Sequence, residues 1–229
     1  MGTGAACRAL EDVRRRIADA CARSSRDPDA VALVAVSKTF PAERVRELLS
    51  CGHSLFGENR VQEALEKIPQ VGPGATWHLV GHLQRNKARH AVGVFELIHS
   101  VDDLELAREL DRRAAARGIV QPVLVQVNVS AEATKSGAGE EAALPLLEAA
   151  AGLRNLSVRG LMTLPPPCAD AEESRPWFAR LRDLRDRAET RLGLRLPDLS
   201  MGMSDDFEVA VEEGATLVRV GRALFDGRS

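Results

Sequence analysis

Only four of the 31 cationic side chains are lysines, and one of them, Lys38, directly follows the apolar run Val31-Ala-Leu-Val-Ala-Val-Ser37. A lysine can lose its proton when desolvated and attack a carbonyl to form an imine, whereas arginine keeps its charge. In a chain that otherwise writes positive charge as arginine, a lysine ending a hydrophobic strand is a candidate nucleophile. The alternative is a lysine whose stem merely snorkels to water. Two later stretches bear on the choice. Leu199-Ser-Met-Gly-Met-Ser-Asp-Asp206 sets Gly202 between Ser200 and Ser204, just before a helix expected from about Asp205, and Val218-Arg-Val-Gly-Arg222 sets Gly221 at a turn. Small residues there let backbone N–H groups approach an anion at a helix start. An imine-forming lysine and a phosphate cup together describe a site for a phosphorylated aldehyde, with pyridoxal 5'-phosphate the obvious candidate. Arg219, inside a strand, would aim its guanidinium at the pyridine nitrogen and leave it unprotonated, making the ring a poor electron sink.

These residues need a scaffold that brings strand ends together. After an opening helix over residues 4–25, with Leu10, Val13, Ile17 and Cys21 on one face, short apolar runs alternate with amphipathic stretches. The runs cover residues 31–37, 54–57, 76–81, 95–101, 122–129, 157–163, 199–203 and 216–221. Between them, Pro41 opens a helix ending at Cys51-Gly52, Asp102 is expected to cap another ending before Gly118, and a long one runs from about Glu172 to Leu192. In the last, Trp177, Phe178, Leu181 and Leu184 form the inward face. Eight strands alternating with helices predict α/β architecture: one (β/α)8 barrel spanning residues 1–229, with residues 1–27 as helix and linker. In that architecture the active face is built from the C-terminal ends of the strands, and phosphate sits after strands seven and eight.

Composition excludes several other classes. A net charge of −2 and a pI near 6.2 give no attraction to nucleic acid or anionic membrane. No segment approaches the ~20 apolar residues of a membrane span, and the N-terminus lacks a signal core, so a soluble, cytoplasmic protein is expected. Cys7, Cys21, Cys51 and Cys168 form no Cys-x-x-Cys pair, which points to reduced structural thiols. His78 and His82 are four apart but begin in a β-type run, without the remaining ligands of a zinc site, so no metal is expected. Lys67 and Lys87 read as exposed helix positions, and Arg85, Lys87, Arg89 and His90 as a solvated basic face.

Taken in order, Leu33-Val-Ala-Val-Ser-Lys-Thr39, Phe56-Gly-Glu-Asn59 with Val61-Gln-Glu63, Trp77-His-Leu-Val-Gly-His-Leu-Gln84 with Asn86-Lys87, Val127-Asn128 with Lys135-Ser-Gly137, Arg159-Gly-Leu-Met162, Ser200-Met-Gly-Met-Ser-Asp205 and Val218-Arg-Val-Gly221 resemble the pyridoxal phosphate homeostasis family. The resemblance runs from about Val31 to the C-terminus. It implies a barrel of the alanine-racemase N-terminal type and a cofactor held on Lys38 as a Schiff base. It also implies that Ser200, Met201, Ser204, Gly221 and Arg222 lie around the cofactor and its phosphate, Arg219 at the ring nitrogen and Asn59 nearby. Two departures stand out. Position 222 is commonly Thr or Ser in relatives, so only a backbone contact is retained there, and Phe225-Asp-Gly227 replaces the usual Phe-Gly.

Racemases of this fold use a second base, a tyrosine from a separate domain of the partner subunit. This chain has no tyrosine and ends shortly after the eighth strand, which removes half of a two-base relay. The expectation is a monomeric, non-catalytic protein that holds pyridoxal phosphate reversibly and contacts apo enzymes only in passing. Weak racemase-like turnover, or a cofactor-free Schiff-base aldolase, are the alternatives. Lys135, in the glycine-flanked loop after the fifth strand, could accept the aldehyde during release, or be simply a loop cation.

Overall fold

The computed structural model describes residues 3–130, 132 and 136–226. Its strands are β1 (Ala32–Val36), β2 (Leu55–Glu58), β3 (Thr76–Leu79), β4 (Leu97–Val101), β5 (Gln121–Asn128), β6 (Ala138–Gly139), β7 (Leu156–Met162), β8 (Asp198–Ser200) and β9 (Leu217–Val220). Its helices are α1 (Thr3–Arg23), α2 (Ala42–Ser50), α3 (Val61–Val71), α4 (Ala88–Ala91), α5 (Leu104–Arg117), α6 (Glu140–Ala151), α7 (Arg175–Leu192), α8 (Phe207–Glu212) and α9 (Arg222–Phe225). Strand β1 pairs in parallel with both β2 and β9, and β4 pairs with β5, so eight strands close on themselves. The two-residue β6 pairs only with β5 and stands outside the ring. Each expected strand is present, within a few residues of its expected bounds.

Closure follows from period-2 alternation with apolar residues on both faces, as a parallel sheet covered by helices requires. Val34, Val36, Val80, Leu97, Leu124, Met162 and Leu217 pack together inside the ring. Their neighbours Leu33, Ala35, Phe56, Trp77 and Ile98 face outward into the layer shared with the helices. Phe178, Leu181 and Leu184 of α7 are buried there, and Trp177 packs partly against it. Helix α5 stops at Gly118, whose φ of 66° is left-handed, where glycine carries no Cβ penalty.

Three expectations need correction. The cap of α5 is Asp103, whose carboxylate accepts from the Leu106 N–H at 2.7 Å, while Asp102 faces His82 instead. Helix α8 begins at Phe207, about two residues past the expected start, after a turn in which the Asp206 and Phe207 N–H groups both donate to the Met203 carbonyl. The cysteines are not all free: Cys7 and Cys51 form a disulfide with Cα atoms 5.4 Å apart, leaving Cys21 and Cys168 as thiols. A separation of 44 residues carries no sequence signal. The two meet because α1 packs across α2 and α8, where Arg16 also grips Glu208 with two bonds of 3.0 and 2.9 Å. Among the described residues, no helix is long and apolar enough to cross a membrane.

Candidate functional site at the barrel mouth

Lys38 follows β1 on the turn Ser37-Lys38-Thr39, where its side chain is exposed and Thr39 is left-handed at φ 67°. Its neighbours are held from below. Lys67 of α3 is only 5% exposed, and its ammonium donates to Glu58 Oε1 (2.5 Å), the Ser37 carbonyl (2.8 Å) and Glu63 Oε1 (3.0 Å). Ser37 Oγ donates to the same Glu58 oxygen at 2.7 Å, and the Thr39 N–H donates to Glu63 Oε1 at 2.7 Å. Burial raises the Glu58 carboxyl while the bonds from Lys67 and Ser37 oppose that shift. The exposed placement expected for Lys67 is therefore corrected. Its face of α3 packs on the barrel, and its stem is long enough to reach a carboxylate at the end of β2. Lys87, in a 3₁₀ turn, is likewise half-buried rather than exposed.

Lys38 lines a recess of about 430 Å³ at the C-terminal end of the ring. Val36 and Val80 rise into it from the inner cluster, Asn59, Gly81 and His82 come from the loops after β2 and β3, and Leu164 from the loop after β7. Met203 and Ser204 after β8, with Arg219, Gly221 and Arg222 at β9 and beyond, complete it. Six of the eight expected site residues thus converge: Lys38, Asn59, Ser204, Arg219, Gly221 and Arg222. Ser200 and Met201 do not line the recess. Ser200 is buried behind Arg219, Met201 is buried among the outward-facing core residues, and the methionine exposed to the recess is Met203.

Backbone proximity shapes two walls. A Cβ on Gly81 would stand 2.2 Å from the Asn59 carbonyl oxygen, so the loops after β2 and β3 touch through their main chains. A Cβ on Gly202, at φ 88°, would stand 2.5 Å from Ala210 Cβ and 2.9 Å from Phe207 Cα, pressing the loop after β8 onto α8. Across the rim, Arg222 pairs with Asp205 and ties the loop after β8 to the start of α9.

Arg219 is the buried charge of the site, at 4% exposure. Its Nη1 donates to Ser200 Oγ at 2.5 Å and its Nη2 to the Thr163 carbonyl at 2.8 Å. Burial lowers it to about 10, so it remains cationic at neutral pH. A guanidinium only donates, so Ser200 Oγ accepts from Arg219. The same hydroxyl lies 2.9 Å from His99 Nδ1, and His99 Nε2 lies 3.0 Å from His78 Nδ1, with the direction of these two bonds set by the imidazole tautomers. Both imidazoles are kept neutral: burial lowers His78 to about 4, and burial reinforced by His78 and Arg219 holds His99 well below its usual range. Sequence reasoning missed this chain, since strand alternation turns both rings inward but nothing local pairs them. The same alternation sets His78, His99 and Arg219 two residues from Val80, Leu97 and Leu217 of the inner cluster, which is the signal that could have found them.

His82 Nδ1 lies 3.4 Å from Asp102 at the mouth, apart from the buried His78. Among the described residues, no group of three or more His, Cys, Asp or Glu is arranged to hold a metal. Lys135 lies outside the described residues.

A family model described as alanine racemase, N-terminal domain, matches residues 9–229. A pyridoxal phosphate homeostasis protein of Aquifex aeolicus is 46% identical over 224 residues, covering 97% of this chain and 98% of its own. One of Pseudomonas aeruginosa is 46% identical, covering 96% of this chain and 94% of its own. PipY of Synechococcus elongatus PCC7942, solved with PLP bound, superposes with a TM-score of 0.80 at 41% identity, covering 93% of this chain and 99% of that one.

Proposed function

Since the chain belongs to the pyridoxal phosphate homeostasis proteins of the alanine racemase N-terminal family, we propose that its barrel mouth holds pyridoxal 5'-phosphate reversibly on Lys38 and serves its cytoplasmic supply without turnover. The observation that carries this reading is the recess itself, which joins one exposed lysine to one buried arginine at the C-terminal end of a closed barrel. Bound there, the cofactor supplies an aldehyde that condenses with an amine to an imine and is freed again by water.

The residues present fit that group. Val36, Val80, Leu164 and Met203 offer apolar surface for a flat ring, and Leu164 and Met203 are each 37% exposed although large and apolar. Gly221 lets the main chain approach from the β9 side: its Cβ would stand 3.1 Å from the Val36 carbonyl. Ser204, Gly221 and Arg222 are suited to a phosphate, with the Arg222 side chain committed to Asp205 and its backbone N–H left for the anion. Arg219, oriented by Ser200 and Thr163, is suited to donate to a ring nitrogen without protonating it. Ser200 thus acts through Arg219, Met201 through packing, and Asn59 at the rim.

Holding without turnover follows from what these groups do with protons. Lys38 offers one base on one face, and the buried arginine withholds the proton that would make the ring an electron sink. Incubating the loaded protein with a panel of amino acids in deuterated water is the test. Cα exchange no faster than with free cofactor is expected, and exchange at enzymatic rates would overturn the carrier reading. One observation favours a second reading of weak racemase-like activity: His82, oriented by Asp102, lines the same recess and could act as a second base. Exchange lost in His82→Ala would support it.

A further inference from the structure

Lys67 lies outside the recess, yet its ammonium sits directly beneath the turn that carries Lys38. We propose that Lys67 is a positioning residue for Lys38, fixing the turn at both flanks: directly through the Ser37 carbonyl and, through Glu63, at the Thr39 N–H. The inference rests on Lys38 being the attachment point.

The geometry separates this role from a generic ion pair. Lys38 itself is exposed and lies on a turn whose next residue is left-handed, a conformation disfavoured for threonine. Something must over-determine that turn. Strand pairing continues to the Ser37 N–H, which donates to the Gly57 carbonyl at 2.9 Å, and stops there. Beyond it the turn keeps two bonds of its own, from the Phe40 N–H to the Ser37 carbonyl at 3.1 Å and from the Thr39 hydroxyl to the Lys38 carbonyl at 2.6 Å, and the restraints that anchor it to the rest of the protein converge on one group. Lys67 binds Ser37 O at 2.8 Å and also fixes Glu63 Oε1 at 3.0 Å, the atom that receives the Thr39 N–H. Glu58 holds the ammonium from the barrel side and takes the Ser37 hydroxyl as well. Two carboxylates thus flank one ammonium, and a main-chain atom on each side of Lys38 is tied to the cluster. A buried ion pair adds little net stability compared with an apolar pair, so register at a functional turn is the better account of its presence.

The test uses the full-length protein and three variants: Lys67→Met combined with Glu58→Gln, so that no buried charge is stranded, Glu63→Ala, and Glu63→Gln. The readouts are the rate and affinity of pyridoxal phosphate capture by absorbance, the rate at which an amine-reactive acylating reagent labels Lys38 without cofactor, and the melting temperature. Affinity should fall about tenfold in the double variant, in line with the cost of a small misplacement. Glu63→Ala should show a smaller loss, Glu63→Gln should retain nearly wild-type capture because its amide oxygen still accepts from Thr39, and Lys38 labelling should change in the first two. Wild-type capture and labelling in both the double variant and Glu63→Ala would overturn the proposal, as would loss tracking melting temperature alone across the three. If the double variant does not fold, the half-exposed Glu63 pair decides by itself. A wild-type protein that captures no cofactor on Lys38 would instead defeat the underlying reading, while labelling still reports on the turn.

Discussion

At the scale of single residues, the molecule places its polar groups by what each can donate or accept. Arg219 can only donate, so a serine and a carbonyl accept from it, and two neutral imidazoles extend the chain from that serine. Keeping imidazoles neutral has a consequence for acid stability. His53 makes the point cleanly because it lies away from the mouth, with Nε2 2.7 Å from the Leu55 carbonyl and burial lowering it to about 4. A histidine at its ordinary value of 6.5 in the unfolded chain takes up a proton before the folded one does, so its contribution is complete above pH 6.5 and is lost as pH falls toward 4. The loss amounts to about 3 kcal/mol at the lower end. His53→Gln should therefore unfold with a shallower acid limb than wild type in denaturant melts across that window. Parallel limbs would contradict the burial argument, and buried carboxyls such as Glu58 and Asp206, which shift the opposite way, cancel in the comparison. Lys38 and Asn59 were legible in the sequence because each follows a predicted strand, and Arg219 because it is a charge inside one. Lys67 was not, since its helical position does not say how far its stem will reach inward.

At the scale of elements, close backbone contact fixes what side chains alone would not. The loops after β2 and β3 touch at Gly81, so Gly81→Ala must push the Asn59 carbonyl aside. We expect cofactor affinity to fall about tenfold by absorbance titration, with the melting temperature lowered as well because main chain rather than a flexible side chain must give way. Unchanged affinity would show that the Asn59 wall is dispensable. The second element-scale feature joins α1 to α2. Closing a 44-residue loop through Cys7–Cys51 should stabilise the protein by about 3–4 kcal/mol over Cys51→Ser. Thiol titration of the unreduced, denatured protein should find two reactive cysteines, and four would contradict the bridge. Strands and helices could be read from periodicity because eight runs alternate with amphipathic stretches. The bridge could not, because helix docking brings Cys7 and Cys51 together and no local spacing encodes it.

At the scale of the whole molecule, barrel closure makes the site. Residues as distant in sequence as Lys38 and Arg219 line one recess only because β1 pairs with β9, setting Val34 opposite Arg219 and Ala35 opposite Val220. The expected convergence at the C-terminal rim followed from the architecture, whereas Ser200 and Met201 stand behind the recess lining, Ser200 inside the ring against Arg219 and Met201 among the outward-facing core residues. Every role assigned to the recess rests on one covalent attachment. Borohydride reduction of the protein loaded with pyridoxal phosphate, followed by mass mapping of its peptides, should place a single pyridoxyl group on Lys38. A modification found mainly on Lys67 or Lys87, or no modification at all, would contradict it.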